Sequence, residues 1–418
     1  MTAAPEFLPD GAWVEAPPLS TVLAALNRGD VETRIVGGAV RDALLGRPHG
    51  DVDCATTAST DEITAMAEAG GLKAVPTGVA HGTVTVIADG RPFEVTTLRH
   101  DVETHGRHAT VAFGADWDED AHRRDFTINA LYVGRDGRLY DPVGGYADIM
   151  ARRVRFIGGA TARIREDFLR ILRFFRFHAQ FADGPPDPDG LTAAIRERRG
   201  LLGLSGERLR QELFRLLIAP GAPATAAIMA ECGILGIVTG TVSHVPAFVR
   251  AVANEAAAGE IPAGEHPDSV RRLAALAVAV PEDAERLADR LRLSNAERRR
   301  LGQAADGWWH VSPALPEPAR RALLYRLGVE AYRDRVALAF ARSGAAVDDA
   351  GWRSLMALPE RWTVPQFPIK GADLMRLGLP SGPAIGRLLS RLEADWIADD
   401  FALDRDALLA RAAKGRED

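Results

Sequence analysis

The chain has 418 residues, 47% of them hydrophobic and 26% charged, and a formal net charge of −6. That profile describes a folded protein of roughly three domains; it excludes a disordered chain, and no run reaches the roughly 18 apolar residues that a membrane span needs. The acidic balance excludes a surface coated in positive charge, so a nucleic-acid partner has to be gripped by a local patch.

Residues 1–30 read as an N-terminal extension. Met1 to Pro18 carries Glu6, Asp10 and Glu15 with neither a basic region nor an apolar core, so it is not a secretory signal and a cytoplasmic location is expected. Cys54 and Cys232 lie far apart without metal-ligand spacing, which fits a reducing compartment. Lysine occurs only at 73, 370 and 414, and this skew to arginine fits a GC-rich coding sequence. Arginine abundance by itself therefore carries no functional weight.

Thr33 to Val36 is a β-prone run that ends in Gly37-Gly38, and Ala39 to Leu45 has helical apolar spacing. Backbone N–H groups at such a turn, with Arg41 about one helical turn on, form a site for a phosphate. A glycine pair alone could equally serve a tight turn. Asp51 and Asp53 alternate with Val52, which on a strand places both carboxylates on one face, roughly 6–7 Å apart. They would repel unless a cation sat between them, and Mg2+, shared with substrate phosphates, is the expected neutraliser. A solvated turn is the alternative for an isolated Asp-x-Asp, but the upstream glycine-arginine element shifts the weight to a metal-bound nucleoside triphosphate.

Gly82 to Ala88 alternates β-branched residues and stops at Asp89-Gly90, a hairpin signal, before Pro92 to Leu98 resumes the pattern. Within the second run Glu94 is the candidate third carboxylate, with an ion pair to Arg99 as the competing role. Thr127 to Val133 and Arg138 to Tyr140 read as another strand pair flanking Asp136-Gly137. From about residue 160 strand signals fade. Amphipathic runs follow at 164–181, 190–198, 206–218, 223–236, 245–258, 268–290, 294–308, 318–329 and 331–344, with loops at 183–190, 259–267 and 311–318.

Gly37-Gly38-Ala39-Val40-Arg41-Asp42-Ala43-Leu44-Leu45-Gly46 followed by Asp51-Val52-Asp53 resembles the opening motif of the class II nucleotidyltransferases, the family of CCA-adding enzymes and bacterial poly(A) polymerases. The resemblance continues, in the family's order, through Pro76 to Thr85, Phe93 to Arg99, Arg123 to Leu131, Asp141-Pro142-Val143-Gly144-Gly145 and Glu166 to Arg173. It implies an α+β protein: a polymerase-beta-like, mixed-sheet head at 31–158, then an all-α neck at 159–220, body at 221–330 and tail at 331–418. The body and tail are expected to bind RNA. The stretch about 240–360 carries no match to the family.

The expected helix at 164–178 puts Asp167 and Arg170 at i, i+3 on one face. A carboxylate accepts and a guanidinium donates, so the pair fits a base edge with an amino group beside a ring-nitrogen acceptor, as in cytosine and adenine. Uracil and guanine present the reverse order, which would leave buried groups unpaired at about 1–3 kcal/mol each. The pair is therefore expected to accept CTP and ATP. An ordinary surface ion pair is the plain alternative. The resemblance also implies nucleotide contacts by Arg124, Arg173 and Arg176, whereas Asp125 and Asn129 are read as structural.

The implied reaction is magnesium-dependent transfer of C and A to the 3′ end of tRNA, with Asp51 and Asp53 holding metal. Poly(A) addition shares the same head, but the chain ends without a long basic block and is acidic overall, which favours tRNA. Enzymes adding only CC or only A, a glycosyltransferase using Asp-x-Asp, and a non-catalytic RNA-binding module that kept the fold are the other readings.

Overall fold

The computed structural model describes residues 4–48, 50–78, 82–105, 108–114, 116–259 and 267–414. Val79, Ala80 and His81 of the family-like stretch, residues 260–266 of an expected loop, and residues 415–418 lie outside that set. The chain divides into two compact units, Met1–Val238 and Thr239–Asp418.

In chain order the first unit starts with α1 (Leu19–Leu26), β1 (Thr33–Val36), α2 (Gly38–Leu44), β2 (Asp53–Thr56), α3 (Thr60–Ala69), β3 (Lys73–Gly78), β4 (Thr83–Ala88) and β5 (Arg91–Thr97). There follow β6 (Arg99–His105), β7 (His108–Phe113), α4 (Trp117–Arg123), β8 (Tyr132–Val133), β9 (Leu139–Tyr140) and α5 (Gly145–Met150). Seven strands form one sheet in the order β3-β4-β5-β2-β1-β8-β9, and β6 pairs with β7 in a separate hairpin. Only β2 and β5 run parallel in the large sheet.

Strand alternation explains how this sheet offers a working face. Val84, Val86 and Ala88 of β4 and Phe93, Val95 and Thr97 of β5 are buried, on the side where α1 and α3 pack. Thr83, Thr85, Glu94 and Thr96 point the other way and are half-buried or exposed. The expected hairpin at Asp89-Gly90 forms, with both residues at positive φ, 49° and 76°. At the opposite edge the Arg34 guanidinium is stacked between the Trp117 and Tyr140 rings, 4.0 and 3.6 Å from their centroids.

The strand expected over Thr127 to Val133 is shorter. Thr127–Asn129 is a 3-10 turn and only Tyr132–Val133 joins the sheet. The chain turns because Asp125 and Asn129 bond side chain to side chain, at 3.1 Å, and because α5 comes down on the turn. A Cβ on Gly145 would sit 2.2 Å from the Thr127 carbonyl oxygen, so this crossing needs glycine. Asp141 holds the same corner, accepting from the Gly145 and Tyr146 backbone N–H groups at 2.7 and 3.0 Å.

The unit continues as helices: α6 (Ala160–Glu166), α7 (Leu169–Phe181), α8 (Pro188–Glu197), α9 (Gly206–Leu217), α10 (Ala222–Glu231) and α11 (Ile234–Thr239). The single helix expected over 164–181 is two. Asp167 breaks it with extended backbone, φ −154° and ψ 107°, and its Oδ1 accepts from the Leu169 N–H at 3.1 Å. A short carboxylate that satisfies orphan N–H groups is better placed at a helix start than inside one. Buried phenylalanines weld these helices to the sheet: Phe126 stands 4.7 Å from Phe156 and 5.4 Å from Phe177, centroid to centroid.

The second unit is helical throughout its described residues: α12 (Val245–Ala258), α13 (Ser269–Ala277), α14 (Pro281–Leu291), α15 (Asn295–Ala305), α16 (Glu317–Leu327), α17 (Val329–Ser343), α18 (Ala350–Met356), α19 (Leu358–Arg361), α20 (Gly371–Arg376), α21 (Pro383–Ala398) and α22 (Arg405–Lys414). The run expected at 268–290 is split, because Pro281 opens a new helix after an extended Val278 and Val280. One core gathers around Tyr332, Phe340 and Trp352, and another around Leu374, Leu392 and Trp396. Among the described residues no helix is long and apolar enough to cross a membrane.

Gly145→Ala is expected to destabilise the first unit by about 2 kcal/mol through overpacking against Thr127, read as a lower urea midpoint. An unchanged midpoint would mean that the corner has room for a methyl group.

Candidate active site

The sheet register brings together residues that are distant in sequence. Val36 at the end of β1 lies opposite Asp53 at the start of β2 and opposite Tyr132 of β8. Asp53 in turn lies opposite Glu94 of β5, and Glu94 opposite Thr85 of β4. Asp51 sits just before β2 rather than in it; with Val52 buried and both aspartates exposed, the expected alternation still holds. Three carboxylates thus converge on one edge of the working face. Partial desolvation, then Glu94, then Asp51 push the Asp53 carboxyl up to about 6, against the pull of Arg124.

Arg124 is clamped by side chains that spacing alone did not single out. The buried Asp120 of α4 accepts from Arg124 Nη2 at 2.9 Å, from the Tyr132 hydroxyl at 2.8 Å and from Arg123 Nη2 at 2.6 Å. Burial alone would raise the Asp120 carboxyl, but Arg124 and Arg123 outweigh it and hold it low. The i, i+4 spacing of Asp120 and Arg124 was a usable signal, whereas the Tyr132 contact needs the fold.

Gly37 caps α2 with φ 76° and ψ −120°, a conformation that L side chains rarely adopt. At its neighbour Gly38 a Cβ would meet Arg41 Nη2 at 3.7 Å, an ordinary contact, so the conformational demand falls on Gly37. Arg41 is not a free cation at the turn. It is buried, with Nη1 donating to Asn129 Oδ1 at 2.7 Å and Nε to Asp42 Oδ1 at 3.1 Å, and its guanidinium lies 4.1 Å from the Phe181 ring centroid. The chain of contacts continues inward. Asn129 donates to Asp125, Arg173 Nε donates to Asp125 Oδ2 at 2.7 Å, and Arg173 Nη1 lies 3.7 Å from Glu212. Arg176 Nε donates to Glu212 Oε2 at 2.5 Å. Arg173 and Arg176 are therefore both committed to buried or half-buried carboxylates, and Asp125 and Asn129 carry the structural role expected of them.

Asp167 and Arg170 are close in sequence but do not pair. Asp167 Oδ2 accepts from Arg208 Nη2 of α9 at 2.7 Å, and Arg170 Nη1 donates to Glu166 and, at 2.8 Å, to the Arg163 carbonyl. Arg163 itself reaches back to the Arg124 carbonyl at 2.6 Å and to Glu166 at 2.5 Å. The i, i+3 argument thus fails in its geometry, since Asp167 is not helical. The two groups have separate anchors instead, Arg208 for Asp167 and Glu166 with the Arg163 carbonyl for Arg170. Sequence spacing does not reveal Arg208 and Glu212, because they lie about forty residues downstream, on a helix whose partners only the fold supplies.

Residues 33–155 match the family described as the Poly A polymerase head domain. The mitochondrial CCA tRNA nucleotidyltransferase 1 of Danio rerio is 35% identical over 405 residues, covering 92% of this chain and 88% of the relative. The chain belongs to the CCA tRNA nucleotidyltransferase family. A CCA-adding enzyme of Lactobacillus gasseri is 32% identical over 378 residues, covering 89% of this chain and 90% of its own. The crystal structure of the Bacillus stearothermophilus CCA-adding enzyme in complex with CTP superposes with a TM-score of 0.76 at 25% identity, covering 96% of this chain and 98% of that one. Family membership and the α+β architecture expected from the motifs both hold.

The carboxylate edge suits a hard divalent cation. Its donors are all oxygens, and Asp53 carries repulsion that a cation would relieve. Among the described residues no group of three or more His, Cys, Asp or Glu side chains is drawn tightly enough to cage a metal.

Because Asp53 binds its proton more tightly in the folded state, at about 6 against 3.8 unfolded, it lowers stability as pH rises through that window. Asp53→Asn is expected to raise the stability of the chelator-treated protein by about 1 kcal/mol at pH 7.5, after allowance for solvent screening, and by little at pH 4. Urea titrations at the two pH values check this. A gain that is the same at both would mean that ionisation of Asp53 is not its source.

Proposed function

We propose that this protein adds C and A nucleotides to the 3′ end of tRNA, completing the CCA terminus from CTP and ATP and releasing pyrophosphate, with Mg2+ as the cofactor. The observation that carries the reading is the Asp53–Glu94 register on the parallel strands β2 and β5, with Asp51 beside it, in a chain that matches CCA-adding relatives along nearly its whole length.

In this reading Asp51 and Asp53 hold the metal and Glu94 is the third carboxylate, facing the incoming 3′-hydroxyl. Bound there, Mg2+ would supply charge neutralisation for the triphosphate and polarisation of the reacting oxygens. Gly37 and Gly38 give the triphosphate close access to backbone, and Arg124 offers it a guanidinium already oriented by Asp120 and Tyr132. Arg41 acts from behind, holding the glycine turn through Asp42 and Asn129. Arg173 and Arg176 support the base pocket by fixing α7 against Asp125 and Glu212.

Asp167 and Arg170 read the base. With one oxygen anchored by Arg208, Asp167 still has lone pairs for the exocyclic amino group of cytosine or adenine; Arg170, anchored through Nη1, has donors left for the neighbouring ring nitrogen. UTP and GTP would set carbonyl against carboxylate. The helical unit Thr239–Asp418 is assigned to holding the body of the tRNA. A cytoplasmic location fits two free cysteines, one of them buried.

The test is incorporation with each nucleoside triphosphate on tRNA ending at the discriminator base, at C and at CC. Addition that stops at CCA is expected; long A-tails on arbitrary RNA would favour poly(A) addition instead. Asp51→Ala should lower incorporation by about a hundredfold or more while tRNA retention on filters persists. Arg208→Ala should weaken the rejection of UTP by about tenfold, with CTP use less affected. Uniform loss with all four triphosphates would mean that Arg208 serves folding only.

A further inference from the structure

The working face of the sheet carries a second kind of chemistry beside the carboxylates. Thr85 lies directly opposite Glu94, and Thr83 lies opposite Thr96, two residues along the same strand and on the same face. These hydroxyls are bonded in two pairs: Thr83 Oγ1 to Thr96 Oγ1 at 3.0 Å, and Thr85 Oγ1 to Thr77 Oγ1 at 2.7 Å. Thr77 reaches Thr85 because the β3–β4 register shifts between Val75 and Gly78, the kind of irregularity that re-aims a side chain. None of the four is buried, so the pairs are not core hydrogen bonds that merely satisfy a dry interior.

A hydroxyl pair uses one of its two hydrogens internally. Each pair therefore keeps one donor, and several lone pairs, for an outside group. A ribose 2′-hydroxyl, itself donor and acceptor, is the complement of such a pair. Position matters as much as chemistry. Thr85 is one strand spacing from Glu94, roughly 5 Å, so a ribose that presents its 3′-hydroxyl to Glu94 can turn the vicinal 2′-hydroxyl toward Thr85, on the side away from Arg124 and the glycine turn.

We propose that the Thr77–Thr85 and Thr83–Thr96 pairs hold the 2′-hydroxyl of the last nucleotide of the acceptor strand, and so select an RNA end over a DNA end. This rests on the nucleotidyl-transfer reading above. The threonines would act on the acceptor and leave recognition of the incoming triphosphate to the glycine turn and α7.

The test uses the full-length protein and tRNA ending in CC, with a ribose or a 2′-deoxyribose at the last position. The wild type is expected to extend the ribose end with a KM about three- to tenfold lower, the range of one or two ordinary hydrogen bonds. Thr85→Val and Thr96→Val should raise the acceptor KM, leave the ATP KM unchanged and bring the ribose-to-deoxyribose ratio towards one. Thr85→Ser, which keeps the hydroxyl, should retain the preference. The same ratio is read without chemistry by competition of the two tRNAs in filter binding. Failure to extend either tRNA would overturn the activity, while the competition would still decide the preference. A wild type indifferent to the 2′-hydroxyl, a ratio unmoved by the valine variants, or a rise in the ATP KM instead would overturn the proposal.

Discussion

The first unit depends on a buried polar chain that begins at the glycine turn and ends in the helices. Asp42, Arg41, Asn129, Asp125, Arg173, Glu212 and Arg176 are linked in that order, through contacts of 2.5–3.7 Å. Its buried charges, Arg41, Asp125, Glu212 and Arg176, are each answered by a neighbour; removing the partner of one of these would strand a buried ion at a cost of about 3–5 kcal/mol. Burial alone would raise the Asp125 carboxyl, and the Arg173 guanidinium and the Asn129 amide are what hold it low. The chain therefore locks the turn, the 3-10 segment and α7 into one arrangement.

That lock leaves the chemistry to a different set of groups. The carboxylate edge is under-compensated, with Asp53 pushed up to about 6 by partial desolvation and then by Glu94 and Asp51, while Asp125 and Asp120 are over-compensated by arginines. The contrast separates ions that hold the fold from ions that are poised for a partner. Arg124 stands between the two sets: it belongs to Asp120 structurally, yet its field reaches Asp53. Under the proposed function, a site built this way would bind a cation and an anionic substrate together, since either alone leaves charge unanswered.

The helical break at Asp167 decides which partners the neighbouring charges take. A continuous helix would have turned the carboxylate and Arg170 toward each other as an ion pair and consumed both. With Asp167 extended and capping α7, one group is anchored by α9 and the other by α6, and each keeps bonding capacity free. Under the proposed function, positioning by separate anchors rather than by mutual pairing is what would leave this side-chain pair able to read a base edge.

Much of the head was legible from local pattern. The β-run ending in Gly37-Gly38, the Asp89-Gly90 hairpin and the alternation of Asp51, Val52 and Asp53 all depend on steric or turn chemistry within a few residues, and they formed as expected. The motifs likewise determined the family. Tertiary structure decided which charges were free. Arg41, Arg173 and Arg176 read in sequence as available cations, but their partners Asn129, Asp125 and Glu212 lie on other elements, and desolvation makes such pairing obligatory. Asp167 and Arg170 followed the same rule: spacing says what two residues could reach along one helix, whereas burial and cross-element partners determine which hydrogen bonds remain for a substrate.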